Sequence, residues 1–94
     1  MVVRTEDYVA SKLIVNDRVN EFNKNNPGFL AEWRYEESEF YSDFEILMRC
    51  RDNSINCSYR CSIETIIKVC NPRDYIDHVL NDLKLKIIGY KEKE

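Results

Sequence analysis

Between Tyr35 and Met48 the chain sorts its side chains by parity: Phe40, Phe44, Ile46 and Met48 fall on even positions, and Glu37, Glu39, Asp43 and Glu45 on odd ones. Successive side chains of an extended backbone point to opposite faces, so the pattern predicts a strand with one apolar and one acidic side. With Glu36 the stretch holds five carboxylates and no Lys or Arg. Such a strand needs neighbours to complete a sheet and an apolar cover for its greasy side, and the rest of the sequence supplies both.

Thr5-Glu6-Asp7 reads as a helix start, with a capping hydroxyl and two acids where the helix dipole favours them. Tyr8, Val15, Val19 and Phe22, with Leu13 nearby, then mark an amphipathic face, predicting a helix over about residues 6–24. Asn25-Asn26-Pro27-Gly28 ends it. From Phe29 the period changes to two, with Ala31, Trp33 and Tyr35 on a short first strand. Because the apolar parity switches afterwards, a turn or bulge near Glu36–Ser38 must precede a second strand over about 39–51.

After the turn cluster Arg51–Asn56, residues Cys57, Tyr59, Cys61, Ile63, Thr65, Ile67 and Val69 alternate with Ser58, Arg60, Ser62, Glu64, Ile66, Lys68 and Cys70. This predicts a long third strand; Ile63, Ile66, Ile67 and Cys70 also have helical spacing, but the sustained alternation and β-branched content favour the strand. A hairpin centred on Asn53-Ser54 sets Cys50 opposite Cys57, Met48 opposite Tyr59, Ile46 opposite Cys61, Phe44 opposite Ile63, Ser42 opposite Thr65 and Phe40 opposite Ile67. On its outer face Glu45 meets Ser62, Asp43 meets Glu64, Tyr41 meets Ile66 and Glu39 meets Lys68. Asn71-Pro72-Arg73-Asp74 begins a last helix with an apolar face of Tyr75, Ile76, Val79, Leu80, Leu83 and Ile87, and Gly89 marks its stop. The order is α-β-β-β-α. It predicts the α+β class: a three-stranded antiparallel meander with two helices packed on one face and the other face open.

At 94 residues and 44% hydrophobic content the chain suits a single domain, 1–94, that folds without disulfides or a metal. The N-terminus lacks the apolar run of a signal peptide, and no apolar run is long enough for a bilayer, so a cytoplasmic protein with no membrane partner is expected. Cys50, Cys57, Cys61 and Cys70 contain no CxxC, and His78 is distant, so no metal or cofactor is expected and the thiols read as small buried hydrophobes. No Ser-His-Asp order, P-loop or dinucleotide fingerprint occurs. Paired carboxylates on a flat face lack the dry concavity that tunes a catalytic pKa, so an enzyme is not expected.

The net charge is −3, and without the lysines and glutamates after Leu83 it becomes −5 for residues 1–83. Two resemblances bear on function. The α-β-β-β-α order resembles double-stranded-RNA-binding domains, which implies a nucleic-acid-binding accessory module using Arg73, Lys84, Lys86, Lys91 and Lys93. That family's Gly-rich loop and lysine cluster have no counterpart in Val69-Cys70-Asn71-Pro72-Arg73-Asp74. The acidic row points the other way. Alternate carboxylates on a strand lie ~6.6 Å apart, about twice the per-strand charge spacing of ~3.4 Å in duplex DNA. Small size, an acidic body and nine Asn with many Lys and Ile, as in AT-rich phage genomes, resemble the phage-encoded DNA mimics that block restriction enzymes or host nucleoid proteins. That resemblance implies a non-enzymatic inhibitor of a host DNA-binding protein, itself binding no nucleic acid, with Glu36, Glu37, Glu39, Tyr41, Asp43, Glu45 and Glu64 as its contact residues. An acidic run also serves simply to solvate an exposed sheet face. Tyr41, Leu47 and Ile66, expected on the same outer face, offer a surface for a homodimer.

Overall fold

The computed structural model describes residues 4–52 and 54–92. Helix α1 (Thr5–Asn25) leads into strands β1 (Phe29–Glu37), β2 (Ser42–Cys50) and β3 (Asn56–Ser62), followed by a short helix α2 (Ile63–Lys68) and a long helix α3 (Pro72–Glu92). The strands form one antiparallel meander in the order β1-β2-β3, as expected. Helices α1 and α3 pack on each other and on one face of the sheet, which makes the α+β class plain.

Each helix end has a local cause, and two differ from expectation. Arg4, extended and without a side-chain bond, precedes α1, so Thr5 is the first helical residue and not its cap. At the C-terminus the Asn26 amide donates to the carbonyl of Phe22 at 2.9 Å before Pro27 and Gly28 carry the chain away. Asn71 does cap α3, its Oδ1 accepting the Asp74 N–H at 3.2 Å, and Pro72 opens the helix where a missing donor costs nothing. Gly89 does not stop α3, which runs on to Glu92; no described residue has a positive φ, so no left-handed cap forms there. Lys93, part of the expected basic tail, lies outside the described residues.

The third strand is the main correction. It ends at Ser62, and Ile63–Lys68 is helical. Ser62 is the cap: its hydroxyl accepts the Thr65 N–H at 3.1 Å and lies 2.8 Å from the Thr65 hydroxyl. Glu64 then sits in the first turn and Lys68 in the last, each at the end the helix dipole favours. Ile63 and Ile66 are buried at helical spacing while Ile67 is 46% exposed, an arrangement a strand of alternating parity does not give.

The β2–β3 register also differs. Met48 faces Cys57, Ile46 faces Tyr59 and Phe44 faces Cys61, two residues from the expected ladder. The Cys50 N–H donates to the Ile55 carbonyl at 3.0 Å, so the loop is shorter than a Cys50–Cys57 pairing requires; Asn53, half of the expected turn centre, lies outside the described residues. A shift of two keeps every side chain on its face, which is why the apolar pattern alone did not discriminate the two registers.

The β1–β2 turn corrects a third expectation. β1 continues to Glu37 and β2 begins only at Ser42. Ser38 builds the turn: its N–H donates to the Tyr41 carbonyl at 2.8 Å, and its hydroxyl accepts the N–H groups of Phe40 and Tyr41 at 3.1 and 3.2 Å. Phe40, expected in the core, is therefore 86% exposed at the tip.

The core lies between sheet and helices. Phe44, Ile46, Met48, Cys50 and Cys61 meet Val15 and Val19 of α1, Ile63 and Ile66 of α2, and Ile76, Leu80, Leu83 and Ile87 of α3, all essentially buried. Full burial stabilises each large aliphatic or aromatic side chain among them by ~1.5–3 kcal/mol. Tyr8, Trp33 and Tyr35 surround the Phe44 ring at centroid distances of 6.1, 5.5 and 5.0 Å. The Arg18 Nε donates to Asp77 Oδ1 at 2.7 Å across the α1–α3 seam, and Arg73 pairs with Asp17.

Candidate interaction face

The helices cover only one side of the sheet. The opposite side presents Leu30, Glu32, Arg34 and Glu36 from β1, Asp43, Glu45, Leu47 and Arg49 from β2, and Asn56, Ser58 and Arg60 from β3. Four acids and three arginines leave this side with a net charge near −1, so it is not a purely acidic surface. Register decides how those charges meet. Glu45 stands between Arg34 and Arg60 in one cross-strand row, and Glu36 faces Asp43 in the next.

The result is an ion-pair network. Arg34 is bound to Glu45, and its Nε lies 3.7 Å from Glu36. Arg60 donates to Glu36 at 2.8 Å and lies 3.8 Å from Asp43 and 3.9 Å from Glu45. The Glu45 carboxylate is the most enclosed, with 13% of its side chain exposed. Above Arg60 the Tyr41 ring lies 5.4 Å from the guanidinium carbon, a cation–π contact. The arginine is held above its ordinary pKa, first by hydrogen bonding to Tyr41 and then by the charge of Glu36. Phe40, the residue before Tyr41 in the turn, is largely exposed. Toward the other end, Leu30 and Leu47 floor an open groove of about 380 Å³ rimmed by Glu32, Arg49, Asn56 and Ser58.

The expected contact residues thus divide. Glu36, Asp43, Glu45 and Tyr41 come together around Arg60. Glu37 does not join them: it shares the helix-side parity of Tyr35 and borders a hollow with Thr5 and Tyr8. Glu39 lies in the Ser38–Tyr41 turn, outside any strand row. Glu64 is on α2, where Lys68 pairs with it at 2.6 Å and holds its carboxyl below the usual carboxylate range. The expected homodimer patch is not contiguous, because Ile66 is buried in the core and Tyr41 sits in the turn; only Leu47 keeps its outer-strand place. The pattern overlooked Arg34 and Leu30, and it assigned the exposed Phe40 to the core row. Running β1 on to Glu37 would have set Leu30, Arg34 and Glu36 on the face together.

The other chemistry-bearing groups are dispersed. Cys50 and Cys61 are buried, Cys57 partly so, and Cys70 is exposed, which corrects the expectation that all four thiols are buried. Burial pushes the Cys61 thiol up to about 11 and raises the Cys57 thiol as well. The Tyr75 phenol is raised chiefly by burial and then by the influence of Cys61. His78 is exposed on α3 at the rim of a small groove with Tyr59, Tyr75 and Asp82. Among the described residues no cluster of three or more His, Cys, Asp or Glu is placed to hold a metal, and no helix is long and apolar enough to cross a membrane. Comparison of the chain with protein-family models, with curated proteins and with solved structures finds no match.

Proposed function

We propose that this chain is a small non-enzymatic interaction protein that receives a protein partner on the open side of its sheet. The observation that carries this reading is the Tyr41–Arg60 stack on the side no helix covers, with the 86% exposed Phe40 next to Tyr41 in the turn sequence. Aromatic residues and arginine dominate the energetics of protein interfaces. The surrounding carboxylates hold Arg60 in place and rim the contact.

The narrower reading inferred from the sequence, inhibition of a host DNA-binding protein by a DNA-like acidic surface, has less support from the geometry. Glu36, Asp43 and Glu45 already share two arginines, and Glu64 shares Lys68, so their charge is in large part spent inside the molecule. A nucleic-acid-binding module has less support still. Arg73 is bound to Asp17, Lys84 to Asn26, and Lys91 lies 3.9 Å from Asp52.

Immobilised protein used to capture partners from candidate host lysates separates these readings. A partner bound through the aromatic group is lost with the Phe40→Ala/Tyr41→Ala double variant, with affinity falling about tenfold or more, and its binding depends only modestly on salt. Replacing Glu37, Glu39, Asp43 and Glu45 by Lys abolishes binding if a DNA-like surface is used, together with a steep salt dependence. Binding that survives both sets of substitutions overturns the proposed face, and a shift of duplex DNA or RNA by the wild-type protein at low salt favours the nucleic-acid reading.

A further inference from the structure

The two edges of the sheet are finished differently. The Arg51 N–H bonds the Gly28 carbonyl and the Cys50 N–H bonds the Ile55 carbonyl, so alternate residues of β2 address β1 and β3 in turn. By the register, Phe29, Ala31, Trp33 and Tyr35 turn their backbone groups outward from β1, while Asn56, Ser58 and Arg60 do so from β3. The β1 edge is guarded. The Asn23 side chain accepts the Ala31 N–H at 2.8 Å and donates to the Ala31 carbonyl at 2.9 Å, replacing one step of a missing strand, and Phe29 is bonded through both its N–H and its carbonyl. Farther along this strand α1 touches the side chains: the Trp33 Nε1–H donates to Asn16 at 3.2 Å and the Tyr35 ring meets Tyr8.

The β3 edge has no such device. No bond from a described residue reaches the outward backbone groups of Ser58 and Arg60, and the strand carries no proline and no inward-pointing charge. Its one charged side chain, Arg60, is drawn back over the sheet by Glu36 and Tyr41. An edge left in this state is a template for another strand. Beneath it, Tyr59 is 45% exposed and borders a groove of about 160 Å³ shared with Tyr75, His78, Asp82 and Lys86 of α3.

We propose that two copies of this chain join antiparallel through their β3 edges, about a two-fold axis at Tyr59, to make one six-stranded sheet. The strand is complementary to itself in that register. Ser58 of each copy takes Arg60 of the other as its hydrogen-bonded partner, which satisfies the outward groups of both residues twice over. Tyr59 then faces Tyr59 of the second copy in the closer, non-hydrogen-bonded pair, and the second ring closes the groove against α3. Along that groove Asp82 lies between His78 and Lys86, so an antiparallel copy meets a row of mixed sign rather than a block of like charge. The interface uses backbone groups of the edge, so it stands or falls independently of the partner face.

Sedimentation and amide hydrogen exchange on the unmodified protein test this directly. The expected result is a dimer mass, with the Ser58 and Arg60 amides exchanging about tenfold or more slowly as concentration rises through the dimerisation range. A Ser58→Pro variant removes one outward donor but leaves the ladder from Cys57, Tyr59 and Cys61 to β2 intact, so it returns the protein to monomer with an unchanged circular dichroism spectrum. A monomer at all concentrations overturns the proposal, as does a dimer in which those two amides exchange at an unchanged rate. Should the proline variant unfold, the exchange rates of the wild-type protein decide by themselves.

Discussion

Cys61 shows what burial does to a single group. It stands opposite Phe44, fully enclosed, and burial raises its pKa from 9.0 to about 11. The folded-state value lies above the unfolded one, so the contribution to stability is complete below about pH 9 and is lost as pH rises from there through about 11. At most about 2–3 kcal/mol is involved, since each pKa unit corresponds to ~1.4 kcal/mol. Tyr75 is shifted the same way and extends the loss at the alkaline end. Urea unfolding midpoints should therefore fall across this range, and Cys61→Ala should flatten the fall without removing all of it; midpoints that do not change with pH would contradict the assignment. Legibility at this scale was uneven. Alternation identified Cys61 as inward-facing, whereas only the general habit of free thiols put Cys70 among the buried ones, and that habit does not hold for an exposed residue in the link between α2 and α3.

At the scale of elements, the chain advertised what each segment can do better than where each one stops. α1, β1, β2 and α3 carry periods that admit one reading, and they appear close to where the periods put them. Ile63–Lys68 carries two periods at once. Helix won because Ser62 can cap it and because Ile63 and Ile66 then enter the core together, and burial of that pair outweighs β propensity. Edge protection was invisible for a related reason: Asn23 sits in a helix eight residues from Ala31, and only the folding back of β1 along α1 turns its amide into a surrogate strand. Asn23→Ala should cost about 1–2 kcal/mol in chemical denaturation, since two backbone groups lose their partner at once. The Ala31 amide should also exchange faster in the folded protein; an unchanged exchange rate would show that the pairing contributes nothing.

For the whole molecule, one core joins every element, and Phe44 stands at its aromatic end among Tyr8, Trp33 and Tyr35. Phe44→Ala should remove about 3–5 kcal/mol, a large share of the 5–15 kcal/mol typical of a domain. Trp33 is the one tryptophan, so its fluorescence reports on the sheet while far-ultraviolet circular dichroism reports mainly on the helices. Both transitions should move together in the variant, and separate midpoints would refute a single cooperative unit. By itself the sequence determined the α+β class, the meander, and which parity of β2 meets the core, because these rest on side-chain period and local turn chemistry within one segment. Only the tertiary structure decided the β2–β3 register, the end of β3 at Ser62 and the ion pairs of Arg34 and Arg60 with the carboxylates. The reason is physical: a two-residue slip leaves every side chain on its own face and so leaves the pattern unchanged, while it changes which charges become neighbours. What looks like an acidic row along one strand becomes, across three strands, a mixed network in which Glu45 stands between Arg34 and Arg60.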